Sequence, residues 1–245
     1  QTLRMITPDG DIEAEIEKIL ADEAKTDQSE NIFTKKYRFP LTLAFLIAFF
    51  NQFSGINALL YYAPRIFEIA GLEASSALLS SIGIGVTNMI FTLLGLSLID
   101  RLGRKQLMYI GSIGYIVSLS LVAMAFSFGW QGMAVPIFLF MFIAAHAIGQ
   151  GTVIWVFISE IFPNTVRDAG MSFGSGTHWV FAALITLITP WVISQFSGAT
   201  IFSFFAGMMG LQLLWVLFVM PETKGVELEE LEKRLTKGTP VIAEG

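Results

Sequence analysis

The sequence predicts an all-α membrane protein, a bundle of six transmembrane helices with short helices at both ends. Three observations predict it. Apolar residues make up 54% of the 245 and charged residues only 14%, against about a quarter charged in an ordinary soluble domain; mean hydropathy is +0.66. Six apolar runs of bilayer-crossing length, about 20 residues each, lie near 40–62, 76–99, 107–127, 134–158, 171–193 and 200–220. The charges fall between the runs and mostly on one side. If both ends are cytoplasmic, fourteen of the fifteen Lys and Arg residues lie inside and only Arg65 lies outside, as the positive-inside rule requires.

Taken in order, residues 1–38 are polar. Asp9-Gly10-Asp11, followed by Ile12, Ile16, Ile19 and Leu20, has the cap and the spacing of an amphipathic helix. Lys35, Lys36 and Arg38 form a basic collar before Pro40 opens the first span. Residues 39–64, 74–99, 106–159 and 169–221 contain no Asp, Glu, Lys or Arg. Arg101, Arg104 and Lys105 join the second and third spans, and Arg167 joins the fourth and fifth, while the turns 128–133 and 194–199 are uncharged. The last span ends at Pro221-Glu222-Thr223-Lys224-Gly225. A tail at 222–245 follows, in which Val226, Leu228, Leu231 and Leu235 predict a short amphipathic helix at the inner surface.

Several classes of function are excluded. The chain has no cysteine and two histidines, so no disulfide framework, thiol nucleophile or cysteine-ligated metal is expected. No Ser/His/Asp set, paired carboxylate or metal-ligand cluster stands out, so the chain does not read as an enzyme, and no cofactor, metal or nucleic-acid partner is expected.

With charge absent from the spans, uncharged polar groups at membrane depth carry the information. The first span holds Asn51-Gln52-Phe53-Ser54-Gly55-Ile56-Asn57 and then Tyr61-Tyr62. An amide without a partner in hydrocarbon costs on the order of a few kcal/mol. Carboxamides both donate and accept, which matches the hydroxyls of a neutral polyol. Asn57 and Tyr61 share a helix face at i,i+4, and Ser54-Gly55 lets the helix loosen there. Such amides also join helices to one another, but three within seven residues facing an aromatic pair favour a binding site. Asn88, His146, Gln150, His178 and Trp179 add polar groups on three further spans. Trp155 and Trp179 offer flat faces on which sugar C–H faces stack. Trp155 lies in Gly149-Gln150-Gly151-Thr152-Val153-Ile154-Trp155, whose glycines allow close approach of a backbone or ligand. For His146 and His178 the expected use is a hydrogen bond to a neighbouring helix, with a proton-carrying role as the alternative. Asp100, Arg101, Arg104, Glu160 and Arg167, at the inner ends of spans, form a candidate charge latch.

These motifs together resemble the signature set of the sugar porter family of the major facilitator superfamily. They are Asn51–Asn57 with Tyr61-Tyr62; Asp100-Arg101-Leu102-Gly103-Arg104-Lys105; Glu160-Ile161-Phe162-Pro163 with Arg167; and Pro221-Glu222-Thr223-Lys224-Gly225. That family includes bacterial xylose– and glucose–proton symporters and facilitative glucose transporters. The resemblance implies the C-terminal six-helix half of a twelve-helix fold, with residues 1–38 ending the cytoplasmic segment between halves, 39–221 forming the half and 222–245 a cytoplasmic tail. It implies transport of a hexose or pentose by alternating access, proton-coupled in a bacterial member. The partners would be a monosaccharide, the missing N-terminal six-helix half, the lipid bilayer and, with coupling, protons. The setting would be a bacterial inner (plasma) membrane with both termini cytoplasmic.

By the same resemblance Asn51, Gln52, Asn57, Asn88, Trp155, His178 and Trp179 face the sugar. Tyr61 and Tyr62 form an outer gate, and Asp100, Arg101, Arg104, Glu160 and Arg167 form the inner network. The chain departs from the family pattern at Asn51 and His178, where glutamine and an amide are usual. It departs again at Gln150 and Thr152, where the family has prolines, and at Ala147, where animal members carry an acid. A transporter-like sugar sensor is the alternative; such receptors carry long cytoplasmic tails, and this sequence ends at Gly245.

Overall fold

The structure, a computed structural model, describes residues 31–130 and 132–236. The amphipathic pattern at 9–20 lies outside the described residues. A 3₁₀ turn at Lys35–Tyr37 leads into α1 (Arg38–Phe53) and α2 (Ile56–Ile69). Then come α3 (Ala74–Leu102), α4 (Arg104–Ser127) and α5 (Ala134–His146), a π turn (Ala147–Gly151) and α6 (Thr152–Glu160). A second 3₁₀ turn at Asn164–Val166 precedes α7 (Arg167–Gln195), α8 (Gly198–Phe218) and α9 (Leu228–Thr236). These elements make six helical segments long and apolar enough to cross a membrane: Lys35–Ile69, Ala74–Leu102, Arg104–Phe128, Ala134–Glu160, Asn164–Gln195 and Gly198–Phe218.

Two of the six segments are interrupted in their interior. The first breaks at Ser54–Gly55, where Gly55 adopts φ +85°, a left-handed conformation that glycine takes without strain. A Cβ there would lie 2.6 Å from Cε2 of Phe205, so the site also needs glycine for space. The segment then runs past the expected end at 62, to Ile69, and Arg65 and Glu68 pair at 3.3 Å on this added stretch. Inside α2, Tyr62 leaves helical geometry (φ −116°, ψ 16°) two residues before Pro64, whose ring cannot fit an unbroken turn. The fourth segment widens at Ala147–Gly151 into the π turn.

Helix ends are fixed by local chemistry. Ser197 Oγ accepts the Thr200 N–H at 3.2 Å to cap α8. Gly103, at φ +92°, turns the chain sharply between α3 and α4. In the bundle α1 packs along α7, and α4 along both α5 and α8. Glycines permit the closest approach: a Cβ on Gly111 would lie 2.9 Å from the Gly149 Cα. Many large apolar side chains point outward, including Leu187 and Phe218, each 78% exposed. Such a surface is stable against hydrocarbon and not against water.

The tail helix begins two residues later than the pattern suggests. Leu231 and Leu235 are buried, with α9 packed on the 3₁₀ turn and the start of α1. Lys36 Nζ meets Glu232 at 3.5 Å. Both described ends of the chain therefore sit at the same end of the bundle.

Candidate functional site

The break between α1 and α2 gathers the first cluster. Asn51 and Gln52 occupy the last turn of α1, and Asn57 the first turn of α2. Gln52 Nε2 donates to Asn51 Oδ1 at 3.0 Å, and its Oε1 accepts from Asn57 Nδ2 at 2.8 Å. The same Nε2 lies 3.2 Å from each ring nitrogen of His178 on α7. The imidazole sits edge-on to Trp155, at 5.0 Å between centroids, and to Trp179 at 5.2 Å. One continuous set of contacts thus links α1, α2, α6 and α7.

This cluster is not fully satisfied from within. Asn51 and Gln52 are buried, Asn57 and His178 half-buried, and Trp155 and Trp179 are 37% and 61% exposed. Asn57 Oδ1 and both indole N–H groups make no hydrogen bond to a described residue. Trp155 is thus exposed although it lies deep in an apolar run. It stands on an open face with His178 behind it.

The other expected site residues are distributed differently. Asn88, half-buried on α3, makes no hydrogen bond to a described residue and is not drawn into the cluster. Tyr61 is 63% exposed. Tyr62, at the kink, donates its hydroxyl proton to the Thr186 carbonyl on α7 at 3.1 Å.

At the charged end, Arg104 joins two acids. Its Nη2 and Nε meet the two oxygens of Glu160 at 2.7 and 3.1 Å, a bidentate pair, and Nη1 reaches Asp100 at 3.3 Å. Arg101 contributes its backbone carbonyl, which accepts from Lys224 Nζ at 2.7 Å. Arg167 makes no ion pair among the described residues, and its buried Nε lacks a hydrogen-bond partner.

Sequence reasoning left Glu222 and Thr223 out of this network. Glu222 accepts the backbone N–H groups of Arg104 and Lys105, each at 3.0 Å, and so caps α4 where a helix N-terminus favours an anion. Thr223 Oγ1 donates to Glu160 at 2.6 Å. The signal was present in the Pro221–Gly225 motif, but the role of its acid depends on a contact 118 residues away.

A second polar cluster lies inside the bundle. Tyr115 on α4 pairs with His146 Nδ1 at 2.5 Å, which bears out the expected hydrogen bond from His146 to a neighbouring helix. Gln150 donates to Gln212 on α8, and Gln212 donates to Ser112 Oγ at 2.8 Å. Ser112, Gln150 and Gln212 are all fully buried.

A separate cavity of about 620 Å³ lies between α2, α7 and α8, lined by Phe53, Leu59, Ile185, Ile188, Phe202 and Phe205 among others. Its walls are almost wholly apolar, so it does not suit a polyol.

A family model described as "Sugar (and other) transporter" matches residues 2–235. The chain belongs to this sugar transporter family. It is 33% identical to the D-xylose-proton symporter of Escherichia coli over 198 residues, covering 78% of this chain and 40% of that protein. It is 36% identical to the arabinose-proton symporter of Bacillus subtilis, covering 82% and 44%. To the glucose facilitated diffusion protein of Zymomonas mobilis it is 33% identical, covering 94% and 50%. Among solved structures, a double-tryptophan mutant of the xylose transporter superposes with a TM-score of 0.80 at 29% identity, over 90% of this chain and 48% of that one. The proton:xylose symporter bound to 6-bromo-6-deoxy-D-glucose gives 0.73 at 32% identity, over 80% and 42%. The chain spans half or less of the length of these relatives. The fold is that of the major facilitator superfamily, the protein is a multi-pass membrane protein, and its relatives are transporters rather than enzymes.

Proposed function

We propose that the chain is the C-terminal six-helix half of an alternating-access monosaccharide transporter. Residues 1–38 would end the cytoplasmic segment between halves, 39–221 form the half, and 222–245 a cytoplasmic tail. One observation carries the reading: an amide–imidazole cluster with unused hydrogen-bonding groups, walled by two exposed tryptophans, on one open face of a membrane bundle. Gln52, Asn57 and His178 offer donors and acceptors to sugar hydroxyls, while Trp155 and Trp179 cover the apolar C–H face. Asn51 holds Gln52 in place, and Asn88 joins the site from α3 when sugar is bound. Tyr61 and Tyr62 act at the outer mouth.

The opposite wall of the path belongs to a second six-helix half, since midplane sites in such transporters form between halves. Asp100, Arg104 and Glu160 form the latch on the inner side, with Arg101 and Arg167 adding positive charge beside it, in a bacterial plasma membrane with both termini cytoplasmic. Coupling to protons fits the two symporters among the relatives. The titrating acid would then lie in the partner half, because the cluster contains no carboxylate.

The test is uptake of radiolabelled D-xylose, L-arabinose and D-glucose by cells carrying the complete transporter. Asn57→Ala is expected to abolish uptake of whichever sugar the parent carries. Unchanged uptake would defeat the site.

A further inference from the structure

Gln150 and Trp155 lie on one membrane-crossing segment, five residues apart. At about 100° per α-helical residue, and less across the end of the π turn, the two side chains point to roughly opposite sides of the helix axis. Gln150 is fully buried in the bundle and Trp155 faces the open side. Fixing the back of this segment therefore fixes the direction in which its front points.

The back is held at several points. Gln150 donates to Gln212 on α8, which donates in turn to Ser112 on α4 at 2.8 Å; Gln150 Oε1 accepts from Tyr115 at 3.5 Å. The Thr152 hydroxyl donates to the Ala147 carbonyl at 2.6 Å and ties the ends of the π turn together. Two glycines let neighbouring backbones close in. A Cβ on Gly149 would lie 2.9 Å from the Gly111 Cα, and one on Gly95 would lie 3.2 Å from the Ala147 oxygen. A π turn carries one more residue than an α turn, so it offsets everything after it by that residue's share of rotation. An unanchored turn could relax and carry Trp155 away from His178.

We propose that Gln212 and Ser112 are positioning residues for Trp155. Through Gln150 they set the rotation of α6 and aim the indole at the sugar beside His178. Neither residue touches the open face. The inference rests on the sugar-site reading above and names the part of the bundle that makes the site specific.

The test uses the complete transporter and whichever of D-xylose, L-arabinose or D-glucose it carries, with KM and maximal rate measured for Gln212→Met, Trp155→Ala and the double variant. Gln212→Met keeps the length of the side chain and removes its hydrogen bonds. It is expected to raise KM about five- to tenfold with little change in maximal rate per folded molecule, the scale of one misplaced aromatic contact. In the Trp155→Ala background the same substitution is expected to add nothing to KM, because no indole remains to be aimed. An equal rise in both backgrounds, or none in either, would overturn the positioning role and leave the sugar site standing. An unchanged KM for Trp155→Ala alone would remove the site and the proposal together. Should Gln212→Met fail to reach the membrane, Ser112→Ala, which loses one hydroxyl, takes its place with a smaller rise and the same two-background criterion.

Discussion

Two groups of amides, each with an imidazole, sit in the same bundle and differ in how their hydrogen bonds are spent. Behind the π turn, Ser112, Tyr115, His146, Gln150 and Gln212 bond to one another, and all but the half-buried His146 are fully buried. In front of it, Asn51, Gln52, Asn57 and His178 bond to one another too, yet Asn57 Oδ1 and the flanking indoles keep groups to spare. Residue type does not separate a site from the glue between helices, since glutamine serves both. Saturation separates them. A polar group closed off by protein stabilises the fold, and one left facing an opening is available to a ligand.

The sharpest test of that contrast removes the central amide of each cluster. Gln52→Ala is expected to lower sugar uptake efficiency about a hundredfold, or about 2.7 kcal/mol of lost stabilisation, while the purified transporter melts close to the parent. Gln150→Leu is expected to do the reverse in emphasis. It deprives buried Gln212 and Tyr115 of a partner, at about 1–3 kcal/mol of stability, with a smaller loss of uptake passed on through Trp155. Thermal melting and uptake measured on the same two preparations would decide. If Gln150→Leu proved silent in melting and Gln52→Ala unfolded the protein, the roles of the two clusters would be exchanged.

Between these in kind, though smaller in size, is the charged end. Arg104 is mostly buried and holds Glu160 with two hydrogen bonds, while Thr223 adds a third to the same acid. Glu160→Gln keeps the shape and removes the charge, which is expected to cost the closed state about 1 kcal/mol, a fivefold shift toward opening at this end. These 245 residues contain no cysteine, so Ser159→Cys, half-buried on the last turn of α6, is the one thiol this half contributes, read against the parent without it. Its labelling by a maleimide in inside-out vesicles should rise about fivefold when Glu160→Gln is added. An unchanged rate would mean that the pair sets topology only.

Much of this was legible in the sequence. Absence of charge over long runs gave the six spans, and their motifs gave the family. The loosening at Ser54-Gly55 could be foreseen because glycine before a helix start permits a left-handed turn. The cluster around Gln52 could be foreseen because three amides fall within seven residues. Other features depend on contacts far apart in the chain. Glu222 caps α4 only because the last span returns to the α3–α4 turn, and Gln212 was one amide in an apolar run until α4 and the π turn were placed beside it. The π turn itself stood where prolines are missing, and nothing local distinguishes a widened turn from a straight one. The resemblance implied an outward-facing Trp155, but nothing local showed that a widened turn lies just ahead of it.

The smallest expected effect concerns Tyr62, and it bears on the same contrast. Its hydroxyl donates to the Thr186 carbonyl at 3.1 Å from a residue that has left helical geometry. Pro64, two residues on, cannot donate to the Leu60 carbonyl and prevents the turn from closing in the ordinary way. The hydroxyl therefore ties the kink in α2 to α7. It is spent within the protein, as the groups behind the π turn are. Hydrogen bonds between membrane helices average about 0.6 kcal/mol, so Tyr62→Phe should change uptake no more than about threefold. Tyr61, its exposed neighbour, is expected to tolerate phenylalanine equally well if its ring closes the outer mouth by bulk, and to respond to alanine instead. Loss of uptake on Tyr62→Phe would mean that this hydroxyl turns from Thr186 to the sugar during transport. Tyr62 would then belong to the front cluster, and saturation in a resting structure would no longer suffice to tell structural groups from functional ones.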